Sequence, residues 1–198
     1  MTYACSKKQN DPNADRMTWA NLRHQLLQVL VTIVLFTGML VLNELLFKRL
    51  EFTPGINWVY LPAGMRLLCT LLFAEAGAVG LLIVSWAVSF LVFFPGNFDR
   101  AFMGGILATA APYLVYRAAH HLYGLQGTLR NLTPGRLLVL SLAYSIASPL
   151  FHHLWFAWRG EPDLLRGFAV MFVGDLAGTL VVLYGLKGLL ALAPARSR

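Results

Sequence analysis

Charge is what this sequence has least of. Charged residues make up 13% of 198, and only nine of them are acidic, against roughly a quarter in an ordinary soluble domain. With 58% hydrophobic residues and a mean hydropathy of +0.62, a water-soluble globular chain is excluded. Cysteine is nearly absent as well. Cys5 lies in a polar tail and Cys69 in an apolar stretch, so neither a disulfide framework nor a zinc site follows. The apolar stretches lack the strict alternation of a β-barrel strand, which excludes that route across a membrane. Also missing are a His-Glu-x-x-His pair, a glycine-rich phosphate loop, a serine in a nucleophile elbow and a second carboxylate spaced to work with Asp175. We therefore expect no enzyme and no cofactor. The formal charge of +7 would point to nucleic acid in a soluble domain. Here the basic residues flank apolar blocks, where lipid headgroups account for them, and nucleic acid is not expected as a partner.

What is present is a series of apolar blocks at about residues 25–47, 56–74, 76–94, 102–120, 137–157 and 167–192. Blocks of about twenty residues suit helices crossing roughly 30 Å of hydrocarbon. The expected fold is an all-α polytopic transmembrane bundle of about six spans, one of them broken at Pro62. It occupies 23–193, with a polar tail at 1–22, disordered or interfacial and carrying Trp19 as a surface anchor, and a basic tail at 194–198. The first block exceeds the 7–15 residues of a signal-peptide core and has no cleavage site, so it reads as an uncleaved helix. Six crossings place ten basic residues on the side of the termini (Lys7, Lys8, Arg16, Arg23, Arg117, Arg130, Arg136, Lys187, Arg196, Arg198) and five opposite. Five crossings would give seven and eight. The positive-inside rule favours six, with both termini cytoplasmic in a bacterial inner membrane.

The stretch Asn57-Trp58-Val59-Tyr60-Leu61-Pro62-Ala63-Gly64-Met65-Arg66 interrupts this pattern. Pro62 has no backbone N–H and holds Leu61 extended, so a helix is expected to start at Pro62 after an extended lead from Ile56. From there to Glu75-Ala76-Gly77 a helix covers only about 20 Å, which leaves open whether 56–74 crosses fully or is re-entrant. Charges at membrane depth cost about 2.5–3.5 kcal/mol each on insertion scales, and three attract notice: Glu44, Arg66 and Asp175. Glu44 can reach the interface beside Lys48. Asp175 follows seven apolar or small residues and needs a proton, a polar cavity or a cation, for which Arg66 is the expected partner. The N–H groups opening the helix at Pro62, with Arg66 beside them, form a candidate site for a small polar or anionic ligand, closed by Asn57, Trp58 and Tyr60.

Small residues mark close approaches of helices, among them Gly77 and Gly80, Ser85 and Ser89, Gly104 and Ala108, and Gly174 and Gly178. His120-His121 and His152-His153 are adjacent pairs whose rings diverge by about 100° on a helix, so packing rather than metal binding is expected. Asn131-Leu132-Thr133 matches the glycosylation pattern but falls in an expected cytoplasmic loop, where it carries no meaning.

The run Asn57-Trp58 to Leu61-Pro62-Ala63-Gly64, followed by Leu71-Leu72-Phe73 and the small residues Gly77 and Gly80, resembles the opening of the first of the MASE families of membrane-associated sensor domains. Val173-Gly174-Asp175-Leu176-Ala177-Gly178-Thr179-Leu180-Val181-Val182 resembles that family's closing segment, and Tyr113 to Arg117 and Leu132 to Leu138 fit its middle helices loosely. The resemblance implies an integral inner-membrane input module, of the kind that precedes a kinase, cyclase or phosphodiesterase domain. The sequence runs only six residues past Leu192, so a stand-alone domain signalling to a separate partner protein is expected, through the basic loop 117–136. The polar centre would comprise Asn57, Trp58, Tyr60, Pro62, Gly64, Arg66, Gly174, Asp175 and Gly178, with membrane lipids around it and an unknown small ligand. The alternative is the substrate-binding membrane subunit of a vitamin-type transporter, since a broken helix beside a binding site is a transporter device.

Overall fold

The computed structural model describes residues 12–124 and 133–192, with side chains from 19 to 124 and from 133 to 188. The architecture is all-α. Helix α1 (Pro12–Phe47) ends in a 3₁₀ turn at Lys48–Leu50, and a small hairpin follows, strand β1 (Glu51–Thr53) pairing antiparallel with β2 (Ile56–Asn57). Then come α2 (Leu61–Val88), a π-helical turn (Ser89–Phe93), α3 (Phe98–Tyr123), α4 (Pro134–Trp158) and α5 (Leu164–Leu192). Four helical stretches are long and apolar enough to cross a membrane: Trp19–Leu50, Leu61–Phe93, Pro134–Trp158 and Leu164–Gly188.

The tail expected to be disordered or interfacial from 1 to 22 is helical from Pro12 onward, continuing α1. Proline suits the first turn of a helix because its missing N–H would have no partner there. Residues 1–11 lie outside the described residues. So do 125–132, which hold the middle of the expected signalling loop and Asn131, and the C-terminal tail.

Helix α2 is two arms rather than one rod. Ala74 adopts φ 50° and ψ −124°, the geometry of the first central position of a type II′ turn, and the chain doubles back there. A Cβ placed on Gly77 would strike the carbonyl of Cys69, and Arg66 and Ser85 line one cavity. Those two residues would stand about 28 Å apart on a straight helix. Helix α1 runs beside both arms. Asn43 Oδ1 accepts from Leu61 N at 2.9 Å, the Phe36 ring lies 5.0 Å from the Arg66 guanidinium, and Thr32 meets Gly80. The pairing leaves no room for a side chain on Gly80, where a Cβ would fall 2.8 Å from that of Thr32.

Helix α3 crosses the first arm near its middle, where the Thr70 hydroxyl, bonded to the Leu67 carbonyl at 2.9 Å, also reaches the Pro112 carbonyl at 3.4 Å. Helices α4 and α5 complete the bundle around a core of Leu67, Leu71, Leu81, Ala111, Tyr144 and Leu183. Ion pairs sit at the two ends. Arg100–Glu161 (3.3 Å), Arg159–Asp99 (3.6 Å) and Lys48–Glu44 (2.8 Å) share one end, and Arg117–Glu75 (3.6 Å) marks the other. Glu44 is thus exposed and paired with Lys48 one turn on.

The hairpin escaped the sequence reading. Its signal was Pro54-Gly55 between short apolar runs: Gly55 has φ 84°, as the second central position of a type II turn requires.

Alanine at a positive φ is strained by about 1–3 kcal/mol. Replacing Ala74 by Gly should therefore stabilise the chain by about 1 kcal/mol, and Ala74→Val should destabilise it by more. Thermal unfolding in detergent, following helical circular dichroism, checks both directions.

Candidate functional site

The two stretches that carry the family resemblance are packed against each other. After β2 the chain bends at Trp58 and Val59 before α2 begins, and this segment lies in a groove on α5 made by Gly174 and Gly178. A Cβ on Gly174 would fall on the Asn57 carbonyl, and one on Gly178 on the Tyr60 carbonyl. Tyr60 N donates to Gly174 O at 3.1 Å and Trp58 N to Leu50 O at 3.0 Å. Further along, Gly64 faces Val182 and Thr179, at 2.7 and 2.9 Å from where its Cβ would stand. The glycines thus let backbone touch backbone, and the small-residue face of α5 takes both the segment 57–60 and the start of α2.

This close docking removes the expected site at the helix start. Leu61 N is taken by Asn43, Ala63 N donates to Tyr60 O at 3.1 Å, and Pro62, Ala63 and Gly64 are buried against α5. Trp58 is 45% exposed and turns outward rather than closing a pocket. Asn57 is buried and serves through its backbone.

Arg66 and Asp175 are both buried, 7% and 1% exposed, but the direct ion pair expected between them is not formed. The four ion pairs of the described residues involve neither. Arg66 instead lies between the rings of Phe36 (5.0 Å) and Tyr60 (5.4 Å), with one terminal nitrogen 3.5 Å from the Tyr60 hydroxyl. Face-on rings attract a guanidinium through their quadrupoles, by up to about 2 kcal/mol when water is excluded. Its Nε has no hydrogen-bond partner. Around Asp175 the facing groups are the Ser148 hydroxyl and, further off, Arg66. Asp175 Oδ2, Ser148 Oγ, Tyr144 OH and Thr179 Oγ1 are all buried without a partner. They come from two i, i+4 pairs, one on α4 and one on α5, that face each other.

On the other side of Arg66 is a cavity of about 60 Å³ touched by all five helices and the hairpin. Its polar lining is Arg66, Tyr60, Ser85, Ser89, Arg100 and His152. Ser89 opens the π-helical turn, a deviation that often marks functional positions. Arg100 is positioned by Glu161 and lies 4.8 and 5.3 Å from the rings of Phe94 and Phe156. His152 Nδ1 bonds the Ser148 carbonyl at 2.9 Å, and His153 Nδ1 bonds the Pro149 carbonyl at 2.8 Å. The rings diverge as adjacent helical residues must, so only His152 lines this cavity.

The sequence reading missed Arg100, His152, Asn43 and the serines of α4. Arg100 looked like an end-of-span charge and His152 like packing. The available signal was the spacing Ser141, Ser145, Ser148 and His152, one polar stripe on an apolar helix. No family model matches this chain, and neither a curated protein nor a solved structure matches it.

Because Gly178 has the Tyr60 carbonyl where a side chain would go, Gly178→Val should cost about 1–3 kcal/mol or prevent folding. Gly188, with open space around it, is the control: Gly188→Val should leave the melting temperature in detergent within a degree or two of the parent.

Proposed function

We propose that the chain is an integral membrane sensory-input module of six crossings, with both termini cytoplasmic in a bacterial inner membrane. The two arms of α2 count as separate crossings, and the distribution of basic residues, ten against five, supports the orientation. The ion-pair layer of Arg100, Glu161, Arg159 and Asp99 then faces the periplasm, and Arg117 with Glu75 faces the cytoplasm.

The observation that carries the reading is Arg66, a buried cation with no carboxylate within ion-pair distance, lining a cavity that every helix touches. A ligand there contacts all the helices at once. It shifts the bundle only if it binds one packing better than another. The element suited to respond is the non-helical segment 57–60, whose bond from Tyr60 N to Gly174 O couples it directly to α5. From that contact α5 runs to the cytoplasmic end, where a separate signalling protein would read its position. Family resemblance in 57–73 and 173–182 points the same way.

Orientation is tested by cysteine labelling in a Cys5→Ser background. An impermeant maleimide added to spheroplasts should modify cysteines at Gly96 and Gly160 and spare those at Gly124 and Lys187; the opposite pattern sinks the topology. Function is tested in proteoliposomes and by spin-label distances between Leu122 and Lys187. Sensing requires that distance to change when the cavity is filled, with no net solute uptake. Uptake abolished by Arg66→Gln would instead establish the transporter alternative.

A further inference from the structure

We infer that the cavity beside Arg66 binds a small monovalent oxyanion that also carries a hydroxyl group, of the bicarbonate or 2-hydroxycarboxylate type. The inference rests on the reading of that cavity as a ligand site, and goes beyond it in naming the chemistry.

Three features set the class. The first is charge. Arg66 and Arg100 both line the cavity, and Arg100 is already matched by Glu161. Asp175 is the other buried charge nearby, but it does not line the cavity and makes no ion pair with Arg66. One positive charge therefore faces the space without a contact partner, and one negative charge answers it. A dianion would bring a second charge into an apolar enclosure with nothing to balance it.

The second is the pattern of unused donors. Arg66 Nε, Arg100 Nε and Ser85 Oγ are buried without hydrogen-bond partners, and all three residues line the cavity. With one terminal nitrogen of Arg66 turned to Tyr60, the free Nε edge offers the side-on, two-point geometry that suits a planar carboxylate or carbonate.

The third is His152. A carbonyl oxygen only accepts, so the ring nitrogen bonded to the Ser148 carbonyl carries the proton. In the neutral ring Nε2 is then a lone pair, and it has no partner among the described residues. An acceptor inside an anion site is unfavourable unless the anion brings a donor, which a hydroxyl supplies. Size agrees: about 60 Å³ holds a ligand of a few heavy atoms, far below the 300–1,000 Å³ of a drug-sized pocket. The rings of Phe36, Phe94 and Phe156 keep water from competing.

The test uses the full chain in phosphatidylcholine nanodiscs, with glycolate, bicarbonate, acetate, nitrate and sulfate as probes in calorimetric titrations. Glycolate and bicarbonate should bind saturably, acetate and nitrate about tenfold more weakly because they lack the hydroxyl, and sulfate not at all. Arg66→Gln should weaken glycolate by tenfold or more, and Arg66→Lys, which keeps the charge and the fold but loses the fork, by a similar factor. His152→Phe should erase the preference for glycolate over acetate. No saturable binding by any monoanion, equal binding by sulfate, or an unaltered preference in His152→Phe overturns the inference. If phosphatidylglycerol added to the nanodiscs abolishes the glycolate response by occupying the site, the ligand is a lipid headgroup and the soluble-anion assignment falls. Glycolate binding without a change in the Leu122–Lys187 distance removes the sensing reading and leaves the site standing. A distance change driven by neutral solutes alone does the reverse.

Discussion

The rest of the structure depends on one contact, the backbone of residues 57–60 laid into the glycine groove of α5. A non-helical segment at membrane depth has no water to satisfy its amides and survives only where protein supplies partners. Here Leu50, Gly174 and Asn43 do so for Trp58, Tyr60 and Leu61 in turn. The approach needed for those bonds is available only because Gly174 and Gly178 have no side chains. With the segment fixed, Pro62 starts the first arm of α2 at a defined depth, and Arg66 arrives one turn later inside the bundle.

What surrounds Arg66 then follows from the cost of burying charge. A lone guanidinium in hydrocarbon is expensive, and an ion pair is one remedy among several. This chain uses aromatic faces from α1 and from the segment before α2, with a tyrosine hydroxyl at the rim, and leaves Nε without a hydrogen-bond partner. Asp175 sits on the opposite side among hydroxyls from α4 and α5. The two charges share a polar region without touching, so that the arginine keeps donor capacity for something else. That unused capacity distinguishes the region from a buried salt bridge that only docks two helices.

Helix reversal at Ala74 is the second constraint, because it sets which residues share the cavity. It brings Ser85 and Ser89 from the second arm back to the level of Arg66, and the π-helical turn that follows hands the chain to α3 with Arg100 facing inward. A straight continuation would have carried those residues to another level of the bundle. The short hairpin at 51–57 closes over the same end, and Pro54, Gly55 and Ile56 join the lining of the cavity.

Much of this was legible from residues alone. Composition and block length determined an all-helical membrane protein, because no other arrangement satisfies so apolar a backbone, and Pro62 marked the break because its ring and missing N–H act locally. Arg66, Asp175, Gly174 and Gly178 stood out because each is costly or unusual at membrane depth wherever it packs. What the sequence could not decide was who meets whom. The Arg66–Asp175 ion pair was inferred from a shortage of other charges, and the aromatic rings that took its place carry no charge to announce them. Arg100 and His152 looked like an interfacial charge and a packing side chain; only the convergence of five helices turns them toward one space. Local chemistry fixes the conformation and the penalty of each residue, whereas the partner that relieves the penalty is a long-range contact, and that was decided by the tertiary structure.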